Sequence, residues 1–255
     1  MEKFIQDIAK KAGGAVLKRF GKDGVQYMKS KNRGDAVTKA DLLSEKMIID
    51  AIKKRYPEHG IVAEESGTFR EGSEYVWVID PIDGTLNFAH GVPIFGVMIC
   101  LMRSGEVILS VIYMPALKQL FFAKKGKGTF LNGTRVRCAK TLSLKGSVGC
   151  GSSSLRTRMA HFFKKLIKAA KDGHMLFSSP GSICANASYV AKGGRDWMVA
   201  LVGGVHDFAP ISLILSEAGC AVTDTKGRSW KFGMLEMVAA NPTLHKQLLK
   251  LTKDI

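Results

Sequence analysis

Five strand-forming residues, Tyr75-Val76-Trp77-Val78-Ile79, run straight into Asp80-Pro81-Ile82-Asp83-Gly84-Thr85. An unbroken run of β-branched and aromatic side chains predicts a buried strand, around which the rest of the chain has to pack. The strand brings two carboxylates, a glycine and a hydroxyl to one end. Two acids three residues apart, on either side of a proline-bent turn, can face a common point and hold hard cations through oxygen. Gly84 lets a ligand approach the backbone closely, and Thr85 adds a hydroxyl and an N–H. The combination suits metal-assisted attack on a phosphate. A surface turn carrying two solvated aspartates is the plain alternative.

The chain has 255 residues, of which 46% are apolar. That is enough for one large domain, or two closely joined halves, with a sizeable core. Its five cysteines, Cys100, Cys138, Cys150, Cys184 and Cys220, are an odd number without a C-x-x-C pair. They indicate neither a disulfide framework nor a structural zinc site, and fit reduced thiols in a cytoplasmic protein. The N-terminal segment carries a charge every few positions, unlike a signal peptide or a membrane span, and no long apolar run occurs elsewhere.

The net charge of +16 favours an anionic partner: nucleic acid, lipid headgroups or phosphorylated metabolites. The cations are dispersed, however. The densest groups are Lys29-Ser30-Lys31-Asn32-Arg33, Lys53-Lys54-Arg55 and Lys124-Lys125-Gly126-Lys127. None is a solid block, and none is interleaved with aromatics. Most of the charge reads as solvated surface. No nucleic-acid or membrane partner is expected, and phosphorylated metabolites stay among the candidates.

Phe4, Ile5, Ile8, Ala9, Ala12, Val16, Leu17 and Phe20 recur at helical spacing, and a second helix is predicted from about Lys39 to Arg55. Ile61-Val62-Ala63 reads as a short strand ending at Glu64-Glu65. Strands follow at 95–102, 107–113 and 119–123, and Asn132-Gly133 is a hairpin turn. Residues 1–143 therefore read as an α+β half, with two helices beside an antiparallel meander. From 144 to 255 the pattern alternates. Strands at 148–150, 175–177, 197–201 and 238–240 precede helices near 157–171, 182–191, 208–217 and 243–251. Alternation of this kind implies an α/β half. No flexible linker separates the halves, so they are expected to pack as one compact body.

Four acids share a placement at the ends of elements: Glu64, Asp80, Asp83 and Asp207. Asp207, just before a helix, would also serve as an ordinary N-cap. Thr38-Lys39-Ala40-Asp41 matches a capping box, which accounts for Asp41 without catalysis. Glu65 reads as an exposed neighbour, since only one of two adjacent acids can face a given point. Ser152-Ser153-Ser154 lacks the G-x-S-x-G context of a serine hydrolase. Gly126-Lys127-Gly128 resembles a phosphate loop only weakly, and His90 reads as a hydrogen-bonded structural residue.

Taken together, these segments resemble the inositol monophosphatase family of magnesium-dependent, lithium-sensitive sugar phosphatases. The likeness rests on Asp35-Ala36-Val37-Thr38-Lys39-Ala40-Asp41, Ala63-Glu64-Glu65-Ser66-Gly67 and Asp80 to Phe88. It continues through Asn132-Gly133, Gly193-Gly194-Arg195-Asp196, Asp207 to Gly219 and Ala239-Ala240-Asn241-Pro242. The resemblance implies the layered α-β-α-β-α sugar phosphatase fold, a homodimer, and a phosphomonoesterase using two to three Mg2+ ions. Mn2+ would substitute and Li+ would inhibit. Glu64, Asp80 and the Ile82 carbonyl would hold the first ion, and Asp80, Asp83 and Asp207 the second. Glu64 would assist a weaker third, near a lysine that corresponds to Lys29 or Lys31. Thr85, hydrogen-bonded to Asp41, would position the attacking water, and with Glu64 these form the catalytic set. Asp83, Gly84, Thr85, Gly181, Ser182 and Ala200 would be the substrate positions.

Three departures from the family pattern bear on specificity. Ala200 stands where inositol-specific members carry an acid, His206 where Trp is usual, and Ser178 where Arg is common. The metal set looks intact while the substrate pocket does not follow the inositol pattern. Fructose-1,6-bisphosphatase, histidinol-phosphate phosphatase and 3′-nucleotidase activities are rivals within the class. A non-catalytic nucleic-acid-binding protein on this scaffold is the rival outside it.

Overall fold

The computed structural model describes residues 1–29, 36–70, 72–151, 157–170 and 174–255. Lys31, Asp35 and Ser152-Ser153-Ser154 lie outside the described residues. The chain opens with α1 (Glu2–Arg19), a short ladder of β1 (Tyr27–Met28) and β2 (Ala36–Val37), and α2 (Lys39–Arg55). An eight-stranded sheet follows. Its strands are β3 (Gly60–Ala63), β4 (Gly67–Phe69), β5 (Tyr75–Asp83), β6 (Gly96–Arg103), β7 (Glu106–Met114), β8 (Gln119–Lys124), β9 (Gly128–Leu131) and β10 (Thr134–Val136). The short helix α3 (Thr85–Ala89) links β5 to β6. Neighbouring strands are antiparallel except β3 and β5, which run parallel.

The second sheet has five strands: β11 (Val148–Gly151), β12 (Leu176–Ser178), β13 (Trp197–Ala200), β14 (Ala221–Thr223) and β15 (Met237–Ala240). Between them run α4 (Thr157–Ala170), α5 (Ile183–Ala191) and α6 (Val205–Glu217), and α7 (Pro242–Thr252) follows the last strand. Each expected strand is followed by its expected helix, but only β11, β12 and β13 are parallel. The unpredicted β14 and its neighbour β15 pair antiparallel. Beyond Gly219 the polar, turn-rich segment around β14 carries too weak an apolar signal to announce a strand.

Strand alternation explains the layering. On β5, Trp77 and Ile79 face the cluster formed with Ile5, Ile8, Ala12, Ile48 and Ile52 of α1 and α2. Val78 between them faces a second cluster, shared with Ala187 of α5 and Phe208 and Ile211 of α6. On β13, Met198 and Ala200 join that central cluster, while Trp197 and Val199 face Phe162 of α4 and Leu244 and Leu248 of α7. The order is α1/α2, sheet, α5/α6, sheet, α4/α7, the α-β-α-β-α arrangement of a sugar phosphatase. Each large apolar side chain buried in these layers contributes roughly 1.5–3 kcal/mol. None of the described helices is long and apolar enough to cross a membrane.

One outer-layer contact carries a pH dependence. The indole N–H of Trp77 donates to His59 Nδ1 at 3.0 Å, and His59 stacks between Tyr56 and Tyr75. Burial lowers the His59 pKa below its usual 6.5, so the unfolded chain takes up this proton first. Stability is therefore lost as pH falls through about 6.5. Urea midpoints measured from pH 8 to 5 should show a drop that shrinks in His59→Phe. An unchanged pH profile in the variant would assign the drop elsewhere.

Candidate metal centre

In a regular strand, residues three apart point to opposite faces. Asp80 and Asp83 nevertheless share one site because β5 bulges between them. Asp80 pairs with Met98 and Asp83 with Gly96, so β5 has one residue more than β6 over this span. The strand does not end at Ile79 in a proline turn, as expected, but continues through Asp83. Ser44 Oγ of α2 donates to the Pro81 carbonyl at 2.9 Å and braces the bulge. Gly84 follows with φ +82, a left-handed conformation that favours glycine, and an added Cβ would sit 2.9 Å from the Ile94 carbonyl.

One oxygen from each of Asp80, Asp83 and Asp207 lies within 4.8 Å of the others, a spacing that could hold a metal ion. Asp80 is 1% exposed, and its Oδ1 has no hydrogen-bond partner among the described residues. Such an orphaned buried oxygen is costly unless a cation completes it. Burial lifts the Asp80 pKa well above the carboxylate range, and Glu64, Asp83 and Asp207 add to the shift. Burial also pushes Asp207 up to about 6, against the pull of His206. The donor set, all oxygen and all acidic, fits divalent cations.

Asp83 has a second attachment. It accepts from the N–H groups of Ile183 at 3.0 Å and Cys184 at 2.8 Å, and from Ser182 Oγ. A carboxylate at the α5 N-terminus meets unpaired donors and the positive end of the helix dipole. Burial still raises the Asp83 pKa, with these hydrogen bonds opposing it. The site is thus assembled across two elements about a hundred residues apart in sequence.

Asp207 is not ahead of its helix, as expected, but inside the first turn of α6. Its Oδ2 accepts from the Gly204 N–H at 2.5 Å. One side chain thus both caps α6 and belongs to the acidic cluster. Asp41 behaves the same way: Oδ2 accepts from the Thr38 N–H at 2.8 Å, and Oδ1 faces Thr85 Oγ1 at 3.0 Å. Thr85 Oγ1 also lies 2.8 Å from the Ile82 carbonyl. Burial pushes Asp41 up to about 6, with the Thr38 and Thr85 hydrogen bonds working against it.

Glu65 is a correction. It was expected to be exposed, yet its side chain is only 4% accessible and lies 2.7 Å from Lys29 Nζ. The same ammonium sits 2.9 Å from Glu64 Oε1. Lys29 bridges both glutamates, so adjacent acids can share a surrounding when a long cation reaches between them. Burial pushes Glu65 up to about 7, in spite of Lys29. Burial works against the Lys29 charge too, but Glu64 and Glu65 outweigh it and hold that pKa above the usual value. Sequence reasoning missed Glu45, 2% exposed, whose Oε2 accepts from the Glu65 N–H at 2.8 Å. Its position four residues after Asp41 on one helix face was the available signal.

The substrate positions divide. Ala200 is fully buried in the central cluster and offers no contact surface, because strand alternation turns it between the sheets. Ser182 is 5% exposed and directed at Asp83. An added Cβ on Gly181 would lie 3.0 Å from Asn87 Oδ1. Asn87 Nδ2 donates to the carbonyls of Ile94 and Pro180 at 2.8 and 2.7 Å, tying the motif to this loop. Ser178 Oγ takes a hydrogen bond from Arg195 Nε at 3.2 Å. His90 Nδ1 is 2.8 Å from the Leu86 carbonyl of its own helix. In the Gly126-Lys127-Gly128 loop the N–H groups of Gly126 and Gly128 hold the Glu217 carboxylate at 2.7 and 2.6 Å, not a phosphate.

Five alternating layers with a buried acidic cluster are the arrangement of the sugar phosphatase fold. A model of the inositol monophosphatase family matches residues 1–255. The chain belongs to that family. It is 33% identical over 249 residues to the fructose-1,6-bisphosphatase/inositol-1-monophosphatase of Thermotoga maritima, covering 97% of this chain and 94% of the relative. It is 33% identical over 252 residues to Nus factor SuhB of Escherichia coli, covering 96% and 93%. The solved structure of the Thermotoga maritima IMPase superposes with a TM-score of 0.88 at 32% identity, covering 99% of this chain and 96% of that one.

Proposed function

We propose that this chain is a cytoplasmic, homodimeric, Mg2+-dependent phosphomonoesterase for small sugar and polyol phosphates. The observation that carries the reading is the orphaned Asp80 Oδ1 inside a buried acidic cluster. Glu64, Asp80, Asp83, Asp207 and the Ile82 carbonyl would hold two to three ions, with Mn2+ able to replace Mg2+ and Li+ inhibitory. When bound, the ions would supply electrostatic activation of water, polarisation of the phosphoryl group and neutralisation of the leaving oxygen. Thr85, with its proton directed to Asp41 Oδ1 or the Ile82 carbonyl, keeps oxygen lone pairs free to orient the attacking water. The N–H groups of Gly84 and Thr85 would receive phosphate oxygens. Water attacks phosphorus directly, the ester oxygen leaves as an alcohol, and no covalent phosphoenzyme forms.

Phosphate release from a panel of metabolite phosphates, with Mg2+ and with excess EDTA, tests this reading. EDTA should abolish release, and Mg2+ at a hundred times its Kd should stabilise the fold by about 2.7 kcal/mol. Full turnover in excess chelator ends the metal-dependent reading. The panel also tests breadth. The acidic cluster and the Gly84 and Thr85 N–H groups address the phosphate and not the leaving group. The double name of the Thermotoga maritima relative is in keeping with broad use. The kcat/KM values of several sugar and polyol phosphates should therefore lie within about a hundredfold, or about 2.7 kcal/mol. A larger preference for inositol 1-phosphate would point to hydroxyl-binding residues elsewhere.

The net charge of +16 and the likeness to a protein named Nus factor favour a second reading, binding of nucleic acid. Electrostatic binding weakens steeply with salt. Duplex binding that survives about 200 mM salt, without phosphatase activity, would establish it in place of the first.

A further inference from the structure

Two of the cysteines meet where each sheet has an outermost strand. Cys138 lies just beyond β10, an edge strand of the eight-stranded sheet. Cys220 lies immediately before β14, an edge strand of the five-stranded sheet. The Cys138 N–H donates to the Ala218 carbonyl at 2.9 Å and fastens one segment to the other. Gly219 turns the chain out of α6 with φ +95, and an added Cβ there would lie 3.7 Å from Cys138 Sγ. The Cys220 side chain is hydrogen-bonded to that of Cys138. Two sulfurs within hydrogen-bonding range, on backbone segments already tied together, are placed to bond without displacing either sheet.

The surroundings give the two thiols different parts. Cys138 is half-buried and open to small reagents, whereas Cys220 is 8% exposed. The hydrogen bond from Cys220 lowers the Cys138 pKa against the effect of burial, and Arg137 adds to the lowering. The same bond, with burial, raises Cys220. Cys138 is therefore the thiolate and Cys220 the thiol that donates to it. Cys100, Cys150 and Cys184 are fully buried, and burial raises all three, which leaves them inert.

We propose that Cys138 and Cys220 are a redox-active dithiol, which a peroxide oxidises to a reversible disulfide joining the edges of the two sheets. The Cys138 thiolate attacks one peroxide oxygen and the O–O bond breaks. Hydroxide leaves, takes up the proton that Cys138 gave to solvent, and becomes water. Cys138 is left as a sulfenic acid. Cys220 then gives up its proton, its sulfur attacks the Cys138 sulfur, and the S–O bond breaks. The departing hydroxide takes that proton as a second water. The sulfurs lose two electrons and the peroxide gains them. Disulfides of proteins in reducing compartments are transient and redox-sensing, which suits a pair that is reduced at rest.

Mass spectrometry of the full chain tests it. The reduced protein is treated with a small excess of hydrogen peroxide, and its remaining thiols are then alkylated under denaturing conditions. The wild type should lose the mass of two hydrogen atoms per chain and keep three alkylated cysteines: Cys100, Cys150 and Cys184. Digestion without reductant should return one cross-linked pair of peptides, carrying Cys138 and Cys220, and dithiothreitol should restore both thiols. Cys220→Ser should stop at the sulfenic acid, trapped on Cys138 by dimedone. Cys138→Ser should give neither disulfide nor adduct. Cys138→Ala replaces the serine variant should that fail to fold, and the wild-type peptide map decides without either. A wild type that keeps all its thiols, pairs other cysteines or links two chains overturns the proposal. Phosphate release is not the readout, so the result is independent of the metal-dependent reading.

Discussion

Asp80→Asn is expected to stabilise the metal-free protein and abolish its Mg2+ response, whereas Asp83→Asn is expected to destabilise it. Both should lower turnover by two or more orders of magnitude, because each removes a ligand charge from a site asked to supply several kcal/mol. The stability effects differ in sign because the surroundings differ. Asp80 is enclosed among other acids and has an orphaned oxygen. An amide there removes the repulsion and can donate to the neighbouring carboxylates. Asp83 accepts three hydrogen bonds at the start of α5. An amide there presents N–H groups to N–H donors and removes a charge from a helix N-terminus. The cost is about 1–3 kcal/mol for the hydrogen bonds and about 0.3–1 kcal/mol for the dipole. Thermal melts in EDTA check the pair: a fall in Tm for Asp80→Asn, or no change for Asp83→Asn, would contradict this account of the cluster.

Thr85→Ala is expected to lower kcat by two to three orders of magnitude while leaving Mg2+ affinity nearly intact. The hydroxyl touches Asp41 and the Ile82 carbonyl but belongs to no carboxylate of the cluster. Thr85→Ser should recover much of the loss, since the oxygen returns and only a methyl group is missing. Asp41→Asn should reduce kcat as well and, unlike Thr85→Ala, should cost about 1 kcal/mol of stability by weakening the cap of α2. Steady-state kinetics beside Mg2+ titrations separate these outcomes. A Thr85→Ala enzyme with wild-type kcat would remove Thr85 from the catalytic set.

Much of the fold was legible because its signals act over a few residues. The apolar spacing of α1, the capping box of α2 and the apolar run of β5 each declare an element locally. The acids of the site were legible for the same reason, as a motif with fixed spacing. Their relations were not. Whether Asp80 and Asp83 face one point depends on the pairing of β5 with β6, where a single extra residue reverses a side chain.

That β5 would be buried, that Thr38 would cap α2, and that Asp80, Asp83 and Asp207 would stand at the ends of elements were determined by the sequence alone. Tertiary structure decided that Asp83 holds the N-terminus of α5, that Lys29 draws Glu65 in beside Glu64, and that Ala200 is enclosed between sheets. It also decided that the His206 ring turns toward Glu64. Propensity, capping and periodicity are properties of short windows. The direction of a carboxylate is set by register and by helices that pack from elsewhere in the chain, and only the folded layers bring those together.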